Sequence, residues 1–87
     1  MRPLLVTSSR NALRDIESLS REMQARVAKR LEELAMDPYA KSLKLQGHEG
    51  MWRARVGALR IIYLVEEVSG RIVIERVHYR GAVYRRL

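Results

Sequence analysis

Hydrophobic residues in the first half of the chain are spaced first as in a strand and then as in two helices. The run Leu4-Leu5-Val6-Thr7 precedes two serines and predicts a first β-strand. Apolar positions then recur three and four residues apart, as they do on one face of a helix. They are Ala12, Ile16 and Leu19 in a first helix, and Met23, Val27, Leu31 and Leu34 in a second. Ser20 suits the start of the second helix, and Asp37-Pro38 ends it, because the residue before a proline is driven out of helical geometry.

From Leu43 onward the apolar residues alternate with polar ones, which predicts strands. The segments 51–56 and 59–65 are of this kind, and Gly57-Ala58 between them suits a two-residue type II′ turn. That turn pairs Val56 with Leu59, Ala54 with Ile61 and Trp52 with Tyr63, all on the face that packs on the helices. A last strand runs from Arg71 to Tyr79. Its register stays open, because the preceding loop can carry a bulge.

These elements predict an α+β fold of order β-α-α-β-β-β, with an N-terminal helical hairpin packed on a small antiparallel sheet. A length of 87 residues suits a single domain over 1–87. Cysteine is absent, which excludes disulfides, thiolate zinc sites and cysteine nucleophiles. No apolar run approaches the roughly 18–20 residues of a membrane span, and the apolar start is too short for a signal peptide. We expect a soluble, cytoplasmic protein with no membrane partner.

Charge is the strongest signal in the composition, with 17 Lys and Arg against 10 Asp and Glu and a formal net charge of +7. The excess lies in the second half, since 41–65 and 71–87 are strongly basic whereas 8–36 is nearly balanced. Most of the basic residues are arginines, whose planar fork of donors matches phosphate oxygens. The distribution favours an anionic partner on one side of the molecule. The alternative is a surface that serves only solubility.

The predicted hairpin places Arg55 directly opposite Arg60, with Arg53 on the same face. Like charges opposite one another in a sheet repel by up to about 1 kcal/mol. An anion between them, such as a phosphodiester, would explain the pair. The alternative is that both side chains splay into water. No His, Asp and Glu grouping has metal-ligand spacing, so we expect neither a metal nor a cofactor.

Four segments of the second half follow one another in a distinctive order. They are Leu43-Lys44-Leu45-Gln46-Gly47, then Met51-Trp52-Arg53-Ala54-Arg55-Val56-Gly57, then Leu59-Arg60-Ile61-Ile62-Tyr63, and finally His78-Tyr79-Arg80 with Val83-Tyr84. Their order and spacing resemble the RelE branch of the RelE/ParE toxin superfamily of bacterial toxin–antitoxin systems. The resemblance implies a ribosome-dependent endonuclease that cleaves mRNA in the A site, where the RNA 2′-hydroxyl attacks the adjacent phosphate.

The resemblance also implies roles for individual residues. The catalytic set would be Arg53, Arg55, Arg60, Arg80 and Tyr84. His78 is added to it on chemical grounds, because histidine titrates in the right pH range and lies near this cluster in the sequence. Binding of RNA would involve Lys41, Lys44, Arg85 and Arg86. Arginine keeps its proton and is a poor base, so the general base stays open. His78 is one candidate, its alternative being a packing role at a strand end, and Glu49 is another.

The same resemblance implies partners and rival functions. A toxin of this kind would bind a cognate antitoxin with an acidic, partly disordered segment and a DNA-binding part, and it would act on the ribosome and mRNA. One rival is a ParE-like inhibitor of DNA gyrase, although such relatives lack the basic catalytic set. Another is a non-catalytic module that binds RNA or the ribosome.

Overall fold

The computed structural model describes residues 2–79, which form two helices and five strands. In chain order these are β1 (Leu5–Ser8), α1 (Arg10–Glu17), α2 (Arg21–Met36), β2 (Leu43–Lys44), β3 (Met51–Val56), β4 (Leu59–Glu66) and β5 (Arg71–Tyr79). The strands form one sheet in the order β1-β5-β4-β3-β2. All neighbouring strands are antiparallel except β1 and β5, which are parallel.

The α+β class and the order of the predicted elements are confirmed, with two refinements. The sheet gains the edge strand β2, which at two residues is too short for alternation to reveal. The prediction of an antiparallel sheet is wrong at one pair, because β1 and β5 are parallel and the sheet is therefore mixed. These two strands come from opposite ends of the described chain, so no local pattern indicates the direction of their pairing.

Both helices begin at a serine. The hydroxyl oxygen of Ser9 accepts a hydrogen bond from the Ala12 amide at 3.1 Å, and that of Ser20 accepts one from the Met23 amide at 3.2 Å. At the other end of α2, Asp37 is extended ahead of the proline, as predicted. The helix boundaries are thus determined by local sequence.

The β3–β4 hairpin has the predicted register. Val56 pairs with Leu59, Ala54 with Ile61, Trp52 with Tyr63 and Arg55 with Arg60. Gly57 has a φ of 58°, which suits the first central position of a type II′ turn and is costly for residues with a side chain. The turn therefore holds the arginine pair in place.

The core lies between the helices and one face of the sheet. Its members are Ala12, Val27 and Leu34 from the helices and Ala54, Val56, Leu59, Ile61, Tyr63, Ile72, Ile74 and Val77 from the sheet. Burying a valine, leucine or isoleucine side chain contributes about 1.5–3 kcal/mol to the free energy of unfolding. Because neighbours along a strand point to opposite faces, the intervening residues lie on the face away from the helices.

A β-bulge shifts the register between β4 and β5. The Cα partners change from Tyr63 with Ile74 to Ile62 with Arg76, so Glu75 is the additional residue. Strict alternation from Ile74 would direct Arg76 and His78 towards the helices. The bulge reverses this phase, so Val77 joins the core while Arg76 and His78 lie on the opposite face.

Helix α1 lies along the edge of β5 where the pairing with β1 ends. The Ser9 amide donates to the Ile74 carbonyl at 2.8 Å, and its hydroxyl donates to the Glu75 carbonyl at 2.9 Å. Farther along the helix, the Asp15 carboxylate accepts the Val77 amide at 2.9 Å. Both sides of the bulge are therefore bonded to α1, which satisfies backbone groups that pairing with β1 does not reach.

The loop after α2 is held by side chains from α2 and β4. The hydroxyl of Tyr63, a fully buried residue, donates to the Pro38 carbonyl at 2.5 Å and lies 2.7 Å from the Ser42 hydroxyl. Burial raises the pKa of Tyr63 above its usual range. Arg30 donates to the Ala40 carbonyl at 2.6 Å. These contacts fix the chain as it enters β2.

Tyr63→Phe tests this contact. We expect it to lower the free energy of unfolding by about 1–3 kcal/mol, because the Pro38 carbonyl and the Ser42 hydroxyl lose a buried partner. Urea denaturation measures the change, with Tyr79→Phe as the matched control at an exposed tyrosine. Equal losses in the two variants would contradict a specific role for the Tyr63 hydroxyl.

Candidate functional site

Five basic residues lie together on the sheet face opposite the helices. The Cα pairings form two adjacent rows across β3, β4 and β5, namely Arg55–Arg60–His78 and Arg53–Ile62–Arg76. The side chains of directly paired residues share a face, and their Cβ atoms lie about 4.5–5.5 Å apart. We call Arg53, Arg55, Arg60, Arg76 and His78 the basic face.

Burial differs across the basic face. Arg60, at the centre of its row, is only 6% exposed, although arginine is rarely buried. Arg55 is exposed, whereas Arg53, Arg76 and His78 are half-buried. A pocket of about 190 Å³ lies at the turn end of the face, lined by Arg55, Arg60 and the residues between them. An anion in this pocket would meet one buried and one exposed guanidinium.

Asp15 of α1 brings a carboxylate to the β5 side of the basic face. It accepts from Arg76 Nε at 3.0 Å and from Arg76 Nη2 at 3.4 Å. The same carboxylate lies 3.3 Å from His78 Nε2, and Arg76 also contacts that ring nitrogen. The side chain of Asp15 is 13% exposed, so the ion pair is partly shielded from water. Asp15 thus joins α1 to two members of the basic face.

The structure brings together four of the residues predicted for catalysis, namely Arg53, Arg55, Arg60 and His78. Lys44 pairs with Trp52 and lies on the other sheet face from Arg53, although both line an open pocket of about 420 Å³ at the β2 edge. Lys41 is exposed in the loop before β2. The other predicted residues, Arg80, Tyr84, Arg85 and Arg86, lie outside the described residues.

The arrangement has two members that the sequence analysis does not predict as site residues. They are Arg76 and Asp15. Without a bulge in β5, Arg76 and His78 would lie on the same sheet face as the apolar Ile72 and Ile74. Charged residues at core-facing positions could have signalled the change of register. Asp15 offers no such signal, because its partners lie more than sixty residues away along the chain.

The chemistry of the face is that of an anion site. Arginines carry a permanent charge and donate paired hydrogen bonds to phosphate oxygens. Among residues 2–79, no three His, Asp or Glu side chains are grouped so that they could hold a metal ion. No helix in the described part of the chain is long and apolar enough to cross a membrane.

A family model of the ParE toxin of type II toxin–antitoxin systems, parDE, matches residues 6–84. The chain belongs to the RelE/ParE toxin superfamily. Its RelE-like branch, expected from the sequence, is confirmed by solved structures with the same fold. Among curated proteins, none matches the sequence significantly.

Three of these structures show the extent of the similarity. The toxin–antitoxin complex RelBE2 of Mycobacterium tuberculosis matches at 28% identity and a TM-score of 0.80, over 90% of this chain and 99% of that one. The RelE–RelB complex of Pyrococcus horikoshii matches at 24% identity and 0.81, over 92% and 98%. Isolated RelE of Escherichia coli matches at 20% identity and 0.79, over 95% and 93%. Each match extends over nearly the whole fold.

Sulfate tests whether the basic face binds anions. A concentration ten times the dissociation constant would stabilise the folded chain by about 1.4 kcal/mol, beyond the effect of chloride at equal ionic strength. We expect a smaller gain in Arg55→Gln, because one of the two guanidinium groups at the pocket is removed. Thermal denaturation measures both, with Arg21→Gln as the control at an exposed position on α2. Equal gains in Arg55→Gln and the wild type would place anion binding elsewhere.

Proposed function

We propose that this toxin is a ribosome-dependent endonuclease that cleaves mRNA in the A site. The observation that supports the proposal is the basic face, where four arginines and a histidine from three adjacent strands surround one short stretch of surface. Such a cluster provides the charge that a phosphodiester needs when it becomes a pentacovalent phosphorane. Folding alone does not require it, because like charges in facing positions repel.

The reaction would be an internal transesterification. The 2′-oxygen of one nucleotide attacks its adjacent phosphorus, the bond to the 5′-oxygen of the next nucleotide breaks, and a 2′,3′-cyclic phosphate forms. One proton leaves the 2′-hydroxyl and one reaches the departing 5′-oxygen. Arg55 and Arg60 would stabilise the charge on the phosphorane oxygens. The ribosome would present the codon in a geometry suited to in-line attack.

Among the described residues, we assign the proton transfers to His78. It is the cross-strand partner of Arg60, and Arg60 lines the pocket proposed for the phosphate. Glu49, the other candidate, precedes the first residue of β3, whereas Arg55 and the Gly57 turn lie at the opposite end of that strand. Roles for Arg80 and Tyr84 remain part of the proposal through the resemblance alone.

An antitoxin is the proposed protein partner. Similar toxins were solved in complex with RelB antitoxins, among them those of M. tuberculosis and P. horikoshii. A net charge of +7 favours an acidic antitoxin segment, disordered in part before binding. We expect the same antitoxin to have a DNA-binding part.

Inhibition of DNA gyrase is a second candidate, because the matching family model is that of ParE. ParE-like relatives lack the basic catalytic set, so the basic face supports cleavage of RNA over gyrase inhibition. A supercoiling assay run beside the cleavage assay separates the two functions.

Primer extension on mRNA under translation tests the proposal. The wild type should produce cuts within A-site codons. Arg55→Ala should lower the cleavage rate about 10²–10³-fold, because one contact to the phosphorane is lost. Arg55 is exposed, so this variant should fold normally. Arg21→Ala, which removes an exposed arginine outside the basic face, should cleave at the wild-type rate.

Three outcomes would contradict the proposal. Blocked elongation without cuts would indicate a module that only binds the ribosome or RNA. Loss of supercoiling activity by gyrase, again without cuts, would indicate a ParE-like inhibitor. Wild-type cleavage by Arg55→Ala would remove the basic face from the active site.

A further inference from the structure

Within residues 2–79, charged groups from three elements face His78. Asp15 approaches from α1, with its carboxylate 3.3 Å from His78 Nε2. Arg60 is the cross-strand partner of His78 on β4, and Arg76 lies two residues before it on β5. A protonated imidazole would therefore lie beside two permanent cations, with the carboxylate of Asp15 as a counter-charge within reach.

Hydrogen bonding at Nε2 depends on the protonation state of His78. Arginine can only donate, so the contact between Arg76 and Nε2 requires a lone pair on that nitrogen. A carboxylate can only accept, so the approach of Asp15 to Nε2 becomes a hydrogen bond when that nitrogen carries a proton. Nε2 cannot satisfy both at once. Arg76 therefore favours the neutral ring with its proton on Nδ1, whereas Asp15 favours a proton on Nε2 and its negative charge stabilises the doubly protonated, positively charged ring.

We propose that Asp15 is a positioning residue that holds His78 on the basic face and stabilises its protonated form between Arg60 and Arg76. The proposal rests on the proposed function for its catalytic meaning. When Nε2 carries a proton, the lone pair of the neutral ring is on Nδ1, and His78 takes the proton of the 2′-hydroxyl there. The new positive charge then appears beside two arginines. Asp15 Oδ1 accepts a hydrogen bond from the Nε2–H group of this ring, while Arg76 keeps its ion pair with the carboxylate through the bond from its Nε to Oδ2. The proton can later pass to the departing 5′-oxygen.

Asp15 also has a structural contact, since it accepts the Val77 amide. The variant Asp15→Asn separates the two roles, because the amide oxygen of asparagine still accepts that hydrogen bond but the negative charge is lost. Glu17→Gln is the matched control. It makes the same change of charge at an exposed residue of the same helix.

Histidine titration by NMR on the 87-residue chain reads the effect directly. The chain has two histidines, and His48 is exposed in the loop before β3, so it serves as an internal reference. We expect His78 to lose its proton about one pH unit lower in Asp15→Asn than in the wild type. In Arg76→Gln we expect it to keep its proton to higher pH than in the wild type. The His48 titration should be the same in all variants, and Glu17→Gln should match the wild type at both histidines.

The cleavage assay gives a second readout. Asp15→Asn should lower the rate about 10²-fold, whereas in a His78→Ala background the same substitution should change it less than about twofold. Full additivity of the two substitutions would overturn the proposal, and so would a His78 titration that is unchanged in Asp15→Asn. The titration needs no cleavage. It therefore decides what Asp15 does at His78 even if primer extension finds no cuts and the proposed function fails.

Discussion

The bulge at Glu75 and its attachment to α1 are the constraint on which the site depends. One additional residue in β5 moves Val77 into the core and turns Arg76 and His78 to the face that carries Arg60. Ser9 donates hydrogen bonds to the carbonyls of Ile74 and Glu75, and the Val77 amide donates one to Asp15. These bonds hold the backbone on both sides of the bulge. Without the bulge, the basic face would consist of the β3 and β4 arginines alone, and no histidine would lie beside them.

The basic face is electrostatically unfavourable, because its like charges repel, and the packed strands hold them together. Arg60 is 6% exposed and lies between Arg55 and His78, so its charge is surrounded by other basic groups. On the other side of the sheet, the apolar core and the Gly57 turn fix the strands that hold these side chains. Asp15 supplies negative charge at the β5 end. The arrangement resembles other functional sites, where groups are held in an unfavourable environment by a well-packed scaffold.

Local sequence was sufficient for much of the fold. Serine caps, Pro38 and the Gly57-Ala58 turn fixed the ends of α2 and the register of the β3–β4 hairpin, because each acts through neighbouring residues. The parallel pairing of β1 with β5 and the contact of Asp15 with β5 join distant parts of the chain, so alternation could not predict them. Of the site, the arginines of β3 and β4 could be placed from the sequence. The orientation of Arg76 depends on the bulge, and the sequence hint for that bulge is that charged residues would otherwise face the core.

In the proposed reaction, the 2′-hydroxyl of a bound mRNA attacks a phosphate held by the basic face. This step is tested most directly on ribosomes programmed with two mRNAs that differ by a single 2′-deoxynucleotide at the cleaved position. We expect the all-ribose mRNA to be cut, with a 2′,3′-cyclic phosphate at the new end, and the substituted mRNA to stay intact. Cleavage of both mRNAs would contradict the mechanism, and cleavage of neither would contradict the assignment as an endonuclease.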